Sequence, residues 1–135
     1  MTTQGFPVLL ARLLLALMFL FAGIDKFTGL EGTAGYIASV GLPMPTLLAL
    51  GAAVVEVLGA LLLIVGWQAR WAALALAVFT LLASFIFHRY WSLPPDQQFV
   101  PMLLFTKNLA IVGGLLMVYA FGAGALSLDQ RRAAA

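Results

Sequence analysis

The sequence predicts an all-α integral membrane protein, an antiparallel four-helix bundle that crosses the bilayer four times. Two observations carry this expectation. First, 64% of the 135 residues are hydrophobic and only 9% are charged, against about 45–50% and about 25% in an ordinary soluble domain. A globule of this size leaves a large part of its surface in water and has nowhere to hide so much apolar area. Second, four apolar stretches approach the roughly 20 residues that a helix needs to cross a hydrocarbon core about 30 Å thick. No long run alternates with period two, which argues against a β-barrel.

The spans read, in order, as residues 7–24, 45–66, 71–87 and 102–121 of a single domain. Pro7, Pro45 and Pro101 stand at or just before helix starts, where a missing N–H costs little. Gly66 and Gly122 stand at helix ends. The first span is a span rather than a cleaved leader, because three more follow it without an intervening soluble region. The loop after it holds a short candidate interfacial helix at residues 33–40, with Tyr36, Ile37 and Val40 facing lipid or the bundle. A tight turn around Arg70 makes the second and third helices antiparallel neighbours. Residues 92–96 read as a plain turn and residues 129–135 as a frayed, solvated tail.

Arg12, Arg70, Arg131 and Arg132 fall on the side shared by both termini, so the positive-inside rule places both termini in the cytoplasm. Arg12 is expected to snorkel to the headgroups there. Net charge is only +2 despite a pI near 9.4, and no basic run exceeds Arg131-Arg132. Nucleic acid is therefore not an expected partner. The chain has no cysteine and one histidine. That excludes iron–sulfur clusters and a di-haem site built from this chain alone, and no metal centre is expected.

Ionisable residues inside a span need a partner or a purpose, since each costs about 2.5–3.5 kcal/mol at the helix centre. Glu56 lies about eleven residues into the second span, or roughly 16 Å deep. Lys107 lies about six residues into the fourth, roughly 9 Å deep, and Asn108 follows it. Their depths allow an ion pair, which is the expected partnership. Thr80, Ser84 and His88 share one helical face. His88 is the one side chain expected to titrate near pH 6.5. Asp25 and Lys26 lie at the same outer level. So do the aromatic residues Phe27, Tyr36, Phe85, Phe87, Tyr90, Trp91, Phe99 and Phe105. Two readings follow from these residues. In one they are an interfacial belt, headgroup anchors and a structural lock between helices. In the other Asp25, Lys26, Glu56, Ser84, His88, Lys107 and Asn108 line a polar pocket that opens outward and accepts a flat, partly polar ligand such as a quinone. No phosphate loop, His-Glu-x-x-His or catalytic triad is present, so no residue is assigned as catalytic.

Several of these marks occur together in order: Gly23-Ile24-Asp25-Lys26-Phe27 closing the first span, Gly41-Leu42-Pro43 before the second, Glu56 opening Glu-Val-Leu-Gly-Ala, His88 before Arg89-Tyr90-Trp91, and Lys107-Asn108 in the fourth. In this order and spacing the chain resembles the DoxX family of small bacterial inner-membrane proteins, from about residue 9 to residue 128. The resemblance implies an inner-membrane location and an association with redox complexes. The family takes its name from a subunit linked to a terminal oxidase, and its relatives include the membrane subunit of a thiosulfate:quinone oxidoreductase. The leading expectation is thus a quinone-interacting or redox-associated subunit. The alternatives are a non-catalytic scaffold for a redox partner protein and a small-solute or proton pathway, which would need a homo-oligomer. Small residues such as Ala110, Gly113 and Gly114 would serve self-association.

Overall fold

The structure is a computed structural model that describes residues 5–135. Four long helices, α1 (Gly5–Thr28), α3 (Pro45–Val65), α4 (Ala69–Phe87) and α5 (Phe99–Phe121), are joined by a short α2 (Leu30–Ser39) and followed by α6 (Leu128–Ala133). No strand occurs among the described residues. The long helices alternate in direction. α1 packs along α3, α3 against α4 and α4 along α5, while α5 touches α1 only lightly. Each of the four is long and apolar enough to cross a membrane. The chain is therefore an all-α, multi-pass membrane bundle.

Helix seams are lined by small residues and outer faces by large ones. The buried stripe of α3 is Ala49, Ala53, Glu56, Gly59, Ala60 and Leu63. Leu14, Phe21, Leu47, Leu82 and Met117 point outward. This is the arrangement expected when lipid tails solvate large apolar side chains as well as a protein core does. Close backbone approach then supplies the packing energy between helices. Within the spans, two glycines set the closest approaches between the long helices. A Cβ on Gly23 of α1 would lie 2.6 Å from Val57 Cγ2 and 3.1 Å from the Ala53 carbonyl oxygen of α3. A Cβ on Gly59 of α3 would lie 2.8 Å from Leu76 Cγ of α4.

The structure departs from the sequence reading at the end that carries the chain termini. Residues 128–133 are helical rather than frayed. Asp129 reaches across to cap α4, its two carboxylate oxygens accepting the Gln68 N–H (2.8 Å) and the Ala69 N–H (3.0 Å). That cap supports Gln68 in the left-handed region at φ 49°. Arg12 does not snorkel. It is 1% exposed, and its guanidinium donates to the carbonyl oxygens of Ala123, Leu126 (2.9 Å) and Ile64 (3.4 Å). The explanation is the loop after α5. It folds under the bundle and brings backbone acceptors to the two terminal nitrogens of the arginine, while Nε is left without a partner. At the other end α2 starts directly after α1, at Leu30, and buries Ile37 against α3 while Tyr36 remains exposed. The expected turn at residues 92–96 contains two single 3-10 turns, Tyr90–Ser92 and Pro95–Gln97.

Candidate functional site

The register of α1 on α3 decides where the polar groups meet. Gly23 seats against Ala53 and Val57, and Lys26 lies one turn further along the same face of α1. Its side chain reaches Glu56, one turn beyond Ala53 on α3. Lys26 Nζ lies 2.8 Å from Glu56 Oε2 and 3.1 Å from Oε1, and 3.5 Å from the Ala22 carbonyl oxygen. The carboxylate side chain is 7% exposed and the lysine side chain 27% exposed. Among the described residues this is the one ion pair. Glu56 does not pair with Lys107, as its depth had suggested. Lys107 is exposed on the outer face of α5, turned away from the seam that holds Glu56. Depth alone cannot fix the rotation of a helix about its axis.

A second polar contact ties α4 to α5. Asn108 Nδ2 donates to Ser84 Oγ at 2.8 Å. Ser84 donates in turn to the Thr80 carbonyl oxygen, and Thr80 to the Leu76 carbonyl oxygen, each at 2.7 Å. These hydroxyls thus spend their protons on their own helix, a common resolution for Ser and Thr inside apolar helices. Gly59 faces Leu76, so Glu56 and Thr80, each about one turn outward from that contact, occupy one level on facing helices. Lys26, Glu56, Thr80, Ser84 and Asn108 together form a polar layer inside the half of the bundle nearer α2.

The other candidates lie apart from it. His88 is half-buried and ends α4, its backbone N–H donating to the Ser84 carbonyl oxygen at 3.0 Å. Asp25 is exposed, and its backbone carbonyl oxygen accepts the Gly29 N–H at 2.8 Å. The aromatic residues divide. Phe105 is the hub of a cluster with Phe85 (5.3 Å between ring centroids), Trp91 (5.5 Å) and Tyr90 (5.8 Å), where the end of α4 meets the start of α5. Tyr36 of α2 stacks separately on Phe87 at 5.2 Å, and Phe27 and Phe99 are exposed. No group of three metal-ligating side chains occurs among the described residues. A cleft is also found away from the expected outward pocket. A cleft of about 430 Å³ sits at the opposite end, around Arg70 and Gly122.

Sequence reasoning missed the Lys26–Glu56 pair and the burial of Arg12, although signals for both exist. Gly23 and Ala53 each stand three residues before the charged residue, which marks a close crossing with a polar pair beside it. Arg12 shares the stripe of Ala16, Phe19 and Gly23 that α1 buries.

The DoxX family model matches residues 7–89. Inner membrane protein YphA of Escherichia coli (strain K12) is 41% identical over 127 residues, covering 93% of this chain and 91% of that protein. Inner membrane protein YqjF of the same organism is 38% identical over 126 residues, covering 91% and 89%. The ER-derived vesicles protein ERV29 of Saccharomyces cerevisiae (strain ATCC 204508 / S288c) is 28% identical over 79 residues, which is 58% of this chain and 26% of that protein. No solved structure matches.

Proposed function

Because the chain belongs to the DoxX family and is a multi-pass inner-membrane protein, we propose that it is a quinone-interacting subunit of a membrane redox assembly, with Lys26 and Glu56 as its ligand-handling pair. The observation that supports this reading is the asymmetry of the pair. Glu56 is enclosed by the α1–α3 seam, while Lys26 stays part exposed. An ammonium in that position can donate to a ligand carbonyl that arrives sideways through the lipid, and the adjacent carboxylate can hold or release a proton as the ligand changes charge. A quinone suits such a site because it is lipid-soluble and flat, with its acceptors on the ring edge. Electrons would come from a partner protein.

The test is quinone extraction from the purified protein, together with tryptophan-fluorescence quenching on titration with a short-chain ubiquinone. The expected result is retained quinone and saturable quenching that Lys26→Met abolishes while the helical circular dichroism is unchanged. Linear, non-saturating quenching identical in wild type and Lys26→Met would overturn the reading. A second reading is favoured by the way the polar layer satisfies itself, with Lys26 on Glu56 and Asn108 on Ser84. In that reading the layer locks the helices and the chain is an accessory scaffold for a redox partner. The scaffold reading expects Lys26→Met to lower thermal stability without altering any quinone signal.

A further inference from the structure

At the end opposite the Lys26–Glu56 pair, the start of α4, the loop after α5 and α6 enclose the cleft of about 430 Å³. That volume is within the range of small-ligand sites. Arg70 lines it. The guanidinium lies over Gly122, where a Cβ would stand only 3.4 Å from Nε and Nη2. Gly122 has φ 88°, a backbone conformation that favours glycine. Among the described residues Arg70 makes no ion pair. The cleft's own carboxylate, Asp129, is already committed on both oxygens to the amides of Gln68 and Ala69. The planar fork of Arg70, suited to a phosphate, is therefore left without an anion.

The rim is of opposite character. Trp71 is 63% exposed and Phe121 is 75% exposed, both at the mouth of the cleft and at the ends of membrane-spanning helices. Arg131 and Arg132 follow on α6, with Arg132 over the Trp67 ring at 5.5 Å. A polar cleft whose carboxylate is committed to backbone amides and whose cation is unpaired, meeting two bare aromatic side chains, fits an amphipathic anion better than a free one. We propose that this cleft holds the phosphate headgroup of an anionic phospholipid on Arg70, with the acyl chains lying along Trp71 and Phe121. The site is independent of the proposed quinone site and stands or falls separately from it.

The experiment is native mass spectrometry of the full chain in detergent, titrated with phosphatidylglycerol, phosphatidylcholine or inorganic phosphate. Phosphatidylglycerol should bind with a single saturating stoichiometry, phosphatidylcholine should not, and inorganic phosphate should fail to displace the lipid at matched concentration. Arg70→Gln should weaken phosphatidylglycerol binding by about tenfold, the ratio for losing one charge-assisted hydrogen bond. Arg70→Lys, which keeps the charge but not the fork, should fall between that variant and wild type. The joint change Arg131→Gln, Arg132→Gln should have the smaller effect. Equal binding of phosphatidylcholine would overturn the proposal, as would full displacement by phosphate, which would mean a simple anion site. An Arg70→Gln protein that melts like wild type and binds like it would overturn it too. So would a loss in the Arg131/Arg132 variant as large as that in Arg70→Gln.

Discussion

Lys26 and Glu56 are each unwelcome in a membrane alone and acceptable together. Lys26→Met leaves a carboxylate that is 5% exposed without its cation. The variant should lose about 3 kcal/mol of stability, the low end of the range for breaking a buried pair because the lysine is part exposed. Glu56→Gln should cost less, since the freed ammonium can swing toward the headgroups. The double variant should recover much of the Lys26→Met loss, and unfolding in mixed micelles would measure all three. Strict additivity of the single effects would show that the two side chains are not partners. The polar residues were legible in the sequence as anomalies, and so were their depths. What was not legible was azimuth. Lys26 and Lys107 were both within reach of Glu56 by depth. Only the seating of Gly23 against Val57, a tertiary fact, selects Lys26.

Helix packing here depends on where side chains are missing. Gly59→Ala would press a methyl into Leu76, and overpacking of this kind typically costs about 1–3 kcal/mol. Leu76→Ala in the same chain should relieve part of that cost, although Leu76→Ala alone is destabilising because Leu76 is fully buried. Gly113→Ala is the control. A Cβ there meets nothing within 4 Å, so its stability should stay within about 0.5 kcal/mol of wild type. Melting temperatures in one detergent would rank the four proteins. The long helices were readable because membrane thickness imposes a length and a composition that few other constraints mimic. α6 was not, because Asp129-Gln130-Arg131-Arg132 has the composition of a solvated tail. Its order comes from the α4 amides that Asp129 caps, some sixty residues away in the chain.

Taken whole, the molecule is a bundle with two unlike ends. The end that carries α2 is closed by Phe105 and its aromatic neighbours, whereas the other end carries Arg12, Arg70, Arg131 and Arg132. That asymmetry predicts orientation through the positive-inside rule. A reporter fused at residue 135 should be active in the cytoplasm, and one inserted in loop 92–98 should be active on the outer side. An outward-facing residue 135 would reverse the assignment of both ends, including the leaflet from which the Arg70 cleft draws its lipid. This much was available from the sequence, since charge bias needs no tertiary knowledge. The placement of the Arg70 cleft was not, because it depends on how the loop after Phe121 folds beneath the bundle.

That loop also has a bearing on biosynthesis. Arg12 enters the bilayer with the first span, yet two of its acceptors, the carbonyls of Ala123 and Leu126, lie 111 and 114 residues downstream. The ribosome makes the arginine long before these two acceptors. Until the fourth helix has been threaded and the following loop has folded back, the guanidinium has at most the Ile64 carbonyl as a partner and is otherwise hydrated at the membrane surface. A copy that stalls before Ala123 never gains the other two acceptors. Closure of the loop beneath the bundle is thus tied to a single side chain of the first helix.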